Sequence, residues 1–152
     1  MAQGFSLQLV LDLAVRDAES QAREVKRSHG EWLRARGHRI HLLRLRDQQV
    51  KGLADQLRPG LTAEALRIRS HFMTQQQAEL QQAALRIDAT YQTWQTLLAR
   101  WMLAQHRLKA LRVLELRHIQ ACGVKVRRLE QRQHDELAQN TRFWRADTEI
   151  FL

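Results

Sequence analysis

At 152 residues the chain is the size of one domain, but 27% charged and only 6% aromatic residues exclude a thick globular core. The net charge of +9, from 25 Lys and Arg against 16 Asp and Glu, favours acidic partners: nucleic acid, anionic lipid or an acidic protein face. The single Cys122 excludes an internal disulfide and fits a reducing, cytoplasmic compartment.

Residues 1–5 are expected to fray, and Ser6 is a plausible N-cap. Residues 5–15 (FSLQLVLDLAV) are apolar but broken by Gln8 and Asp12, and no basic segment precedes them. The run is also far short of the ~20 residues that span a bilayer. It reads as the start of a helix over about 6–57. The apolar positions there are Leu7, Leu11, Ala14, Ala18, Ala22, Val25, Trp32 and Leu33, then Ile40, Leu43, Val50, Ala54 and Leu57. Their phase moves by one residue near Trp32 and Leu33, which a relaxed supercoil tolerates and a strict heptad does not. Gly30, Gly37 and Gly52 lie inside this helix, and each costs about 1 kcal/mol against Ala. They make the first helix the weaker partner, either bending it near Gly30 to Gly37 or simply facing solvent; the second is preferred.

Arg58-Pro59-Gly60-Leu61-Thr62 is the one clear break. Thr62 is placed to cap a second helix over about 63–140, with Glu64 in its first turn. Along this helix Leu66, Met73, Leu80, Ile87, Trp94, Trp101 and Leu108 recur every seventh residue. A second stripe is expected through Ala84, Tyr91 and Leu98, shifting by one to Ala104 and Leu111. A short loop between two long helices makes them antiparallel neighbours. The fold class is therefore all-α: a long antiparallel two-helix coiled-coil hairpin, as a single domain over 1–152. Ordinary bundle core is the alternative, and the length of the repeat argues against it.

A turn centred near residue 60 sets Val25 near Trp94 and Leu97, Ala18 near Trp101, and Leu11 near Leu108. Small residues then face the tryptophans. On this register the first helix runs out near residue 115, leaving an unpaired overhang over about 117–152. Its helical part is of the order of 40 Å long at ~1.5 Å per residue. It is charged at Arg117, Lys125, Arg127, Arg128 and Arg132, and apolar at Ile119, Cys122, Val126, Leu129 and Leu137. A helix without a partner is marginal in water, so this end either frays or is covered by another protein. The closing Phe143, Trp144, Ile150, Phe151 and Leu152 are left unexplained by the hairpin.

No catalytic, cofactor-binding or metal-binding constellation is visible, so the chain does not read as an enzyme. The glycines are scattered, with no phosphate-binding loop. His38 and His41 are one turn apart, as are Glu115 and His118, but carboxylate-bridged metal sites need a second Glu-x-x-His copy. The histidines read as solvated surface residues, and Cys122 as seam packing rather than a nucleophile. Arg34, Arg36, Arg39, Arg44 and Arg46 cluster near the turn, and a second basic cluster covers 107–132. Acids are interleaved and no nucleic-acid motif accompanies them, so direct nucleic-acid binding is not expected. Membrane-surface binding by the first helix is not expected either, because its apolar residues lie almost all round.

In the second half, Tyr91-x-x-Trp94 is followed by Trp101 and by Arg107-Leu108-x-Ala110-Leu111-x-x-Leu114. Then comes Glu130-Gln131-x-x-x-Asp135-Glu136-Leu137-Ala138; the opening, Leu7 to Ala14, matches as well. In order, spacing and length the chain resembles the FliJ family of the flagellar type III export apparatus. The resemblance implies a coiled coil similar to that of the rotary ATPase γ subunit, with no catalysis, no cofactor and no obligate homo-oligomer. It implies that the terminal end binds the hexameric export ATPase FliI. Surface nearer the turn is implied to contact the export-gate protein FlhA and export chaperones. The implied location is cytoplasmic, peripheral to the inner membrane at the flagellar base. Carried onto this chain, ATPase binding falls on Arg127, Arg128, Glu130, Gln131, Asp135, Glu136 and Leu137. Gate and chaperone binding falls on His38, Leu42, Leu45, Phe72 and Gln76. Leu42, Leu45 and Phe72 are expected off the main seam, which itself points to partner contact. The alternatives are the equivalent stalk of a virulence secretion system and a basic coiled-coil scaffold that binds nucleic acid.

Overall fold

The computed structural model describes residues 4–56, 60 and 62–149; the side chains of Gln56 and of 143–149 are not among those described. Two helices account for nearly all of it: α1, Gln8–Gln56, and α2, Ala63–Glu149. The Phe5 carbonyl accepts the Gln8 N–H at 3.0 Å, so α1 opens two residues after the expected Ser6. Thr62 caps α2 as expected: its Oγ1 accepts the Ala65 N–H at 3.3 Å and its carbonyl accepts the Leu66 N–H at 3.1 Å. The expected turn residues Arg58, Pro59 and Leu61, and Leu57 before them, lie outside the described residues, as do Ile150, Phe151 and Leu152 and the side chains of Phe143 and Trp144.

The chain divides into two compact units. One is Asp17–Gln105; the other joins the chain up to Arg16 with the chain from His106 on. In the unit Asp17–Gln105 the helices run antiparallel: His29 lies against Trp94, and Gln76 Nε2 donates to Gln49 Oε1. The α1 seam there is Ala18, Gln21, Val25, Ser28, Trp32, Ala35, Leu42, Arg46, Gln49 and Leu53, all buried or half-buried. Their spacing alternates strictly between three and four, with only the exposed Arg39 missing from the series. The α2 seam answers it with Arg69, Met73, Gln76, Leu80, Ala83, Ile87, Thr90, Trp94, Leu97, Trp101 and Ala104.

Three expectations change here. First, α1 shows no phase shift. Leu33, Ile40 and Val50 are each 47% exposed, and polar Gln21, Ser28, Arg46 and Gln49 hold the seam positions that hydrophobicity alone assigned elsewhere. Second, the second stripe of α2 sits one residue earlier, at Ala83, Thr90 and Leu97, with Tyr91 43% exposed; Ala104 then follows with no shift. Third, the Trp94 ring is met by large partners as well as small ones. It stacks on Trp32 at 5.2 Å and meets His29 at 4.7 Å, with Val25 beside it along the same groove. Two heptad a-position tryptophans brought face to face gain ring stacking that an Ala–Trp pairing lacks.

In the other unit Leu11 and Leu108 are buried, and Ala14, Leu111, Glu115, His118, Cys122 and Gly123 are half-buried. Phe5, ahead of α1, packs its ring against His118 at 5.6 Å. Covered positions therefore reach Gly123, past the expected limit near 115. His118 is packed rather than solvated, with its Nε2 3.6 Å from Cys122 Sγ. From Val124 to Arg142 every side chain is exposed, while α2 stays helical to Glu149, beyond the expected end near 140.

Candidate functional site

Arg127, Arg128, Glu130, Gln131, Asp135, Glu136 and Leu137 all lie on the exposed stretch of α2. Val126, Leu129 and Leu137 are 52%, 57% and 62% exposed and share one stripe of the helix. Arg127, Arg128, Glu130, Asp135 and Glu136 make no ion pair among the described residues. The stretch presents an apolar stripe flanked by charges of both signs. Charge enters the sevenfold ladder at Glu115 and again at Glu136, with Cys122 and Leu129 between them.

Nearer the turn, within the unit Asp17–Gln105, a groove of about 180 Å³ is lined by Leu42, Leu45, Phe72, Gln76 and four neighbours. Four of the five expected gate-facing residues thus meet in one place. His38 does not join them; it borders a separate shallow site with Glu31, Arg34, Ala35, Arg86 and Thr90. Leu42 and Gln76 are seam residues, correcting the expectation for Leu42, whereas Leu45 and Phe72 stand at the rim, 37% and 45% exposed. Phe72 also borders a larger groove of about 560 Å³ with Gln49, Gly52, Leu53, Ala65, Ile68, Arg69 and Met73. The polar floor is incompletely satisfied. Gln76 Oε1 and Arg69 Nη1 are buried with no hydrogen-bond partner.

One cluster was not foreseen. His29, Trp32, Tyr91 and Trp94 form a continuous ring network, with centroid separations of 4.7 to 5.8 Å, and the Arg36 guanidinium lies 4.9 Å over Trp32. The signal for it was present: Trp32 and Trp94 are both heptad a positions once α1 is given its true phase.

Among the described residues no three His, Cys, Asp or Glu side chains are placed to hold a metal ion, and no helix is long and apolar enough to cross a membrane. No curated protein and no solved structure matches the chain significantly. The model of one family, described as flagellar FliJ protein, matches residues 3–147, and the chain accordingly belongs to the FliJ family, a component of flagellar type III protein export.

Proposed function

We propose that this chain is the non-enzymatic stalk and adaptor of a flagellar export ATPase. The exposed part of α2, with Arg127, Arg128, Glu130, Gln131, Asp135, Glu136 and Leu137, docks on the hexameric ATPase FliI. The patch at Leu42, Leu45, Phe72 and Gln76, with His38 beside it, meets the export gate protein FlhA and export chaperones. The protein thereby works at the cytoplasmic face of the inner membrane. The observation that carries this reading is the continuation of α2 as helix to Glu149, while every side chain from Val124 to Arg142 is exposed. An isolated helix of that polarity gains little from its own propensity, so a partner that pairs with it contributes most of its stability.

The test is a truncation after Gly123, mixed with purified FliI in a pull-down. Loss of ATPase binding, with far-ultraviolet circular dichroism still showing a helical hairpin, is the expected result. Undiminished binding sinks the assignment. For the second surface, Leu45→Asp together with Phe72→Asp is expected to lower FlhA capture and leave FliI capture unchanged.

A further inference from the structure

The three heptad positions of α1 farthest from the seam form an outward face over residues 23–51. Arg23, Lys26, Arg27, Arg34, Arg44 and Lys51 stand on it, all exposed and none ion-paired among the described residues. The one acid on this face, Asp47, is already held by Arg46 at 3.8 Å. The matching outward face of α2, over residues 74–103, carries a single charged residue, Asp88. The outward face of α1 is therefore much more basic than that of α2. Between the cations stand Leu33 and Ile40, each 47% exposed.

Against the expectation from apolar periodicity, we propose that this face of α1 binds an anionic lipid bilayer directly, because over residues 23–51 it carries six cations and a single acid. Six long cationic side chains spread along ~40 Å of helix suit a plane of negative charge, because Lys and Arg stems reach sideways to a flat surface. A polyphosphate chain would use the same cations but gain nothing from Leu33 and Ile40, whereas a bilayer interface takes up aliphatic tips. A flat lipid surface needs no groove to receive it. The contact is electrostatic and superficial, with each bound cation strengthening association by about fivefold near an anionic surface. Covering Leu33 and Ile40 adds a smaller apolar gain. This surface is distinct from the exposed stretch of α2, so the inference does not depend on the ATPase assignment.

The experiment is co-sedimentation of the full-length protein with phosphatidylcholine vesicles, with and without phosphatidylglycerol at about one lipid in three. Binding is expected only to the anionic vesicles, and it should weaken steeply as salt rises. Arg27→Glu, Arg34→Glu and Arg44→Glu together are expected to reduce it at least about a hundredfold. Reversing Arg107, Lys109 and Arg112 to Glu changes net charge equally and should cost less than a tenth of that effect. Leu33→Ser with Ile40→Ser should reduce vesicle binding several fold and leave binding to a DNA duplex of matched charge unchanged. Equal loss in the two charge-reversal variants, equal binding to neutral vesicles, or no binding at all overturns the proposal. Tighter binding to the duplex than to the vesicles, insensitive to Leu33 and Ile40, reassigns the face to nucleic acid and also overturns it. The truncation after Gly123 should bind vesicles as the full chain does; circular dichroism of each variant checks that the hairpin is intact.

Discussion

Two stretches of α2 share one kind of sequence and have opposite fates. From Leu80 to Ala104 the sevenfold ladder is covered, and Ala83 and Ala104 are 5% exposed. From Val124 to Arg142 apolar rungs still recur at helical spacing, yet Leu129 and Leu137 stand 57% and 62% open. Both stretches lack proline and are made mostly of good helix formers, Leu, Ala and Gln in the first and Arg, Gln and Glu in the second. Helical propensity therefore does not separate them; the presence of a facing helix does. The sharpest way to break the comparison is one truncation in each stretch. Trp94→Ala removes the ring that touches His29, Trp32 and Tyr91, and should cost about 3 kcal/mol, the low end for a large aromatic because Trp94 is half-buried. Leu129→Ala removes a side chain with no covering partner and should change stability by less than about 0.5 kcal/mol. Urea midpoints measure both. A large loss at Leu129 would show that the exposed stretch is paired in solution, for example by a second copy.

A second contrast lies inside the covered seam. Around Trp32 and Trp94 the seam is aromatic, whereas nearer the turn it holds Arg46, Gln49, Arg69 and Gln76. There Gln76 donates to Gln49 while its own Oε1 is buried without a partner. Such a pair fixes register but leaves a desolvation cost unrepaid. Gln49→Leu with Gln76→Leu is expected to raise stability by about 2 kcal/mol, read as a higher urea midpoint. The variant should also self-associate more readily, because a uniform Leu seam discriminates poorly between partners. Analytical ultracentrifugation checks that outcome.

These contrasts explain what could be read from the sequence. The ladder from Met73 to Leu108 and the Thr62 cap were legible because they rest on strong, redundant signals, although the ladder's expected first rung, Leu66, stands 50% exposed. The phase of α1 was not. Its seam places Gln21, Ser28, Arg46 and Gln49 inside and leaves Leu33, Ile40 and Val50 outside, so a search for apolar period drifts onto the wrong face. On α2 the ambiguity was local. Ala83 and Ala84 are alike, and at the next step the bulky Tyr91 outweighed Thr90, although Thr90 is the covered residue. Of the candidate residues nearer the turn, Leu42, Leu45, Phe72 and Gln76 line one groove and His38 lies apart, a division that depends on the register between the helices. The ring cluster depends on the register between the helices, which neither helix encodes alone.

Ser28 sharpens the same point on a smaller scale. It is 4% exposed, at a seam position, and its Oγ has no hydrogen-bond partner. Ser28→Ala keeps the small volume and removes the buried hydroxyl, so a gain of about 1 kcal/mol is expected in the urea midpoint. A loss instead would show that the hydroxyl holds an ordered water in the seam.

A further test sets α1 against α2 as helices. Gly37 lies on the outward face of α1, and a Cβ built there meets nothing within 4 Å. Its backbone is helical without a positive φ, so alanine fits the conformation already adopted. With neither a clash nor a special backbone angle to preserve, the only term left is backbone entropy. Gly37→Ala should therefore raise stability by about 0.5–1 kcal/mol, a rise in melting temperature of a few degrees. Ala83 and Ala104 on α2 are the reverse case, small because the seam has no room rather than because the surface asks for nothing. Enlarging either to Leu should destabilise the hairpin by about 1–3 kcal/mol through overpacking. If Gly37→Ala leaves stability unchanged or lowers it, α1 bends around that residue in solution, the option its glycines left open.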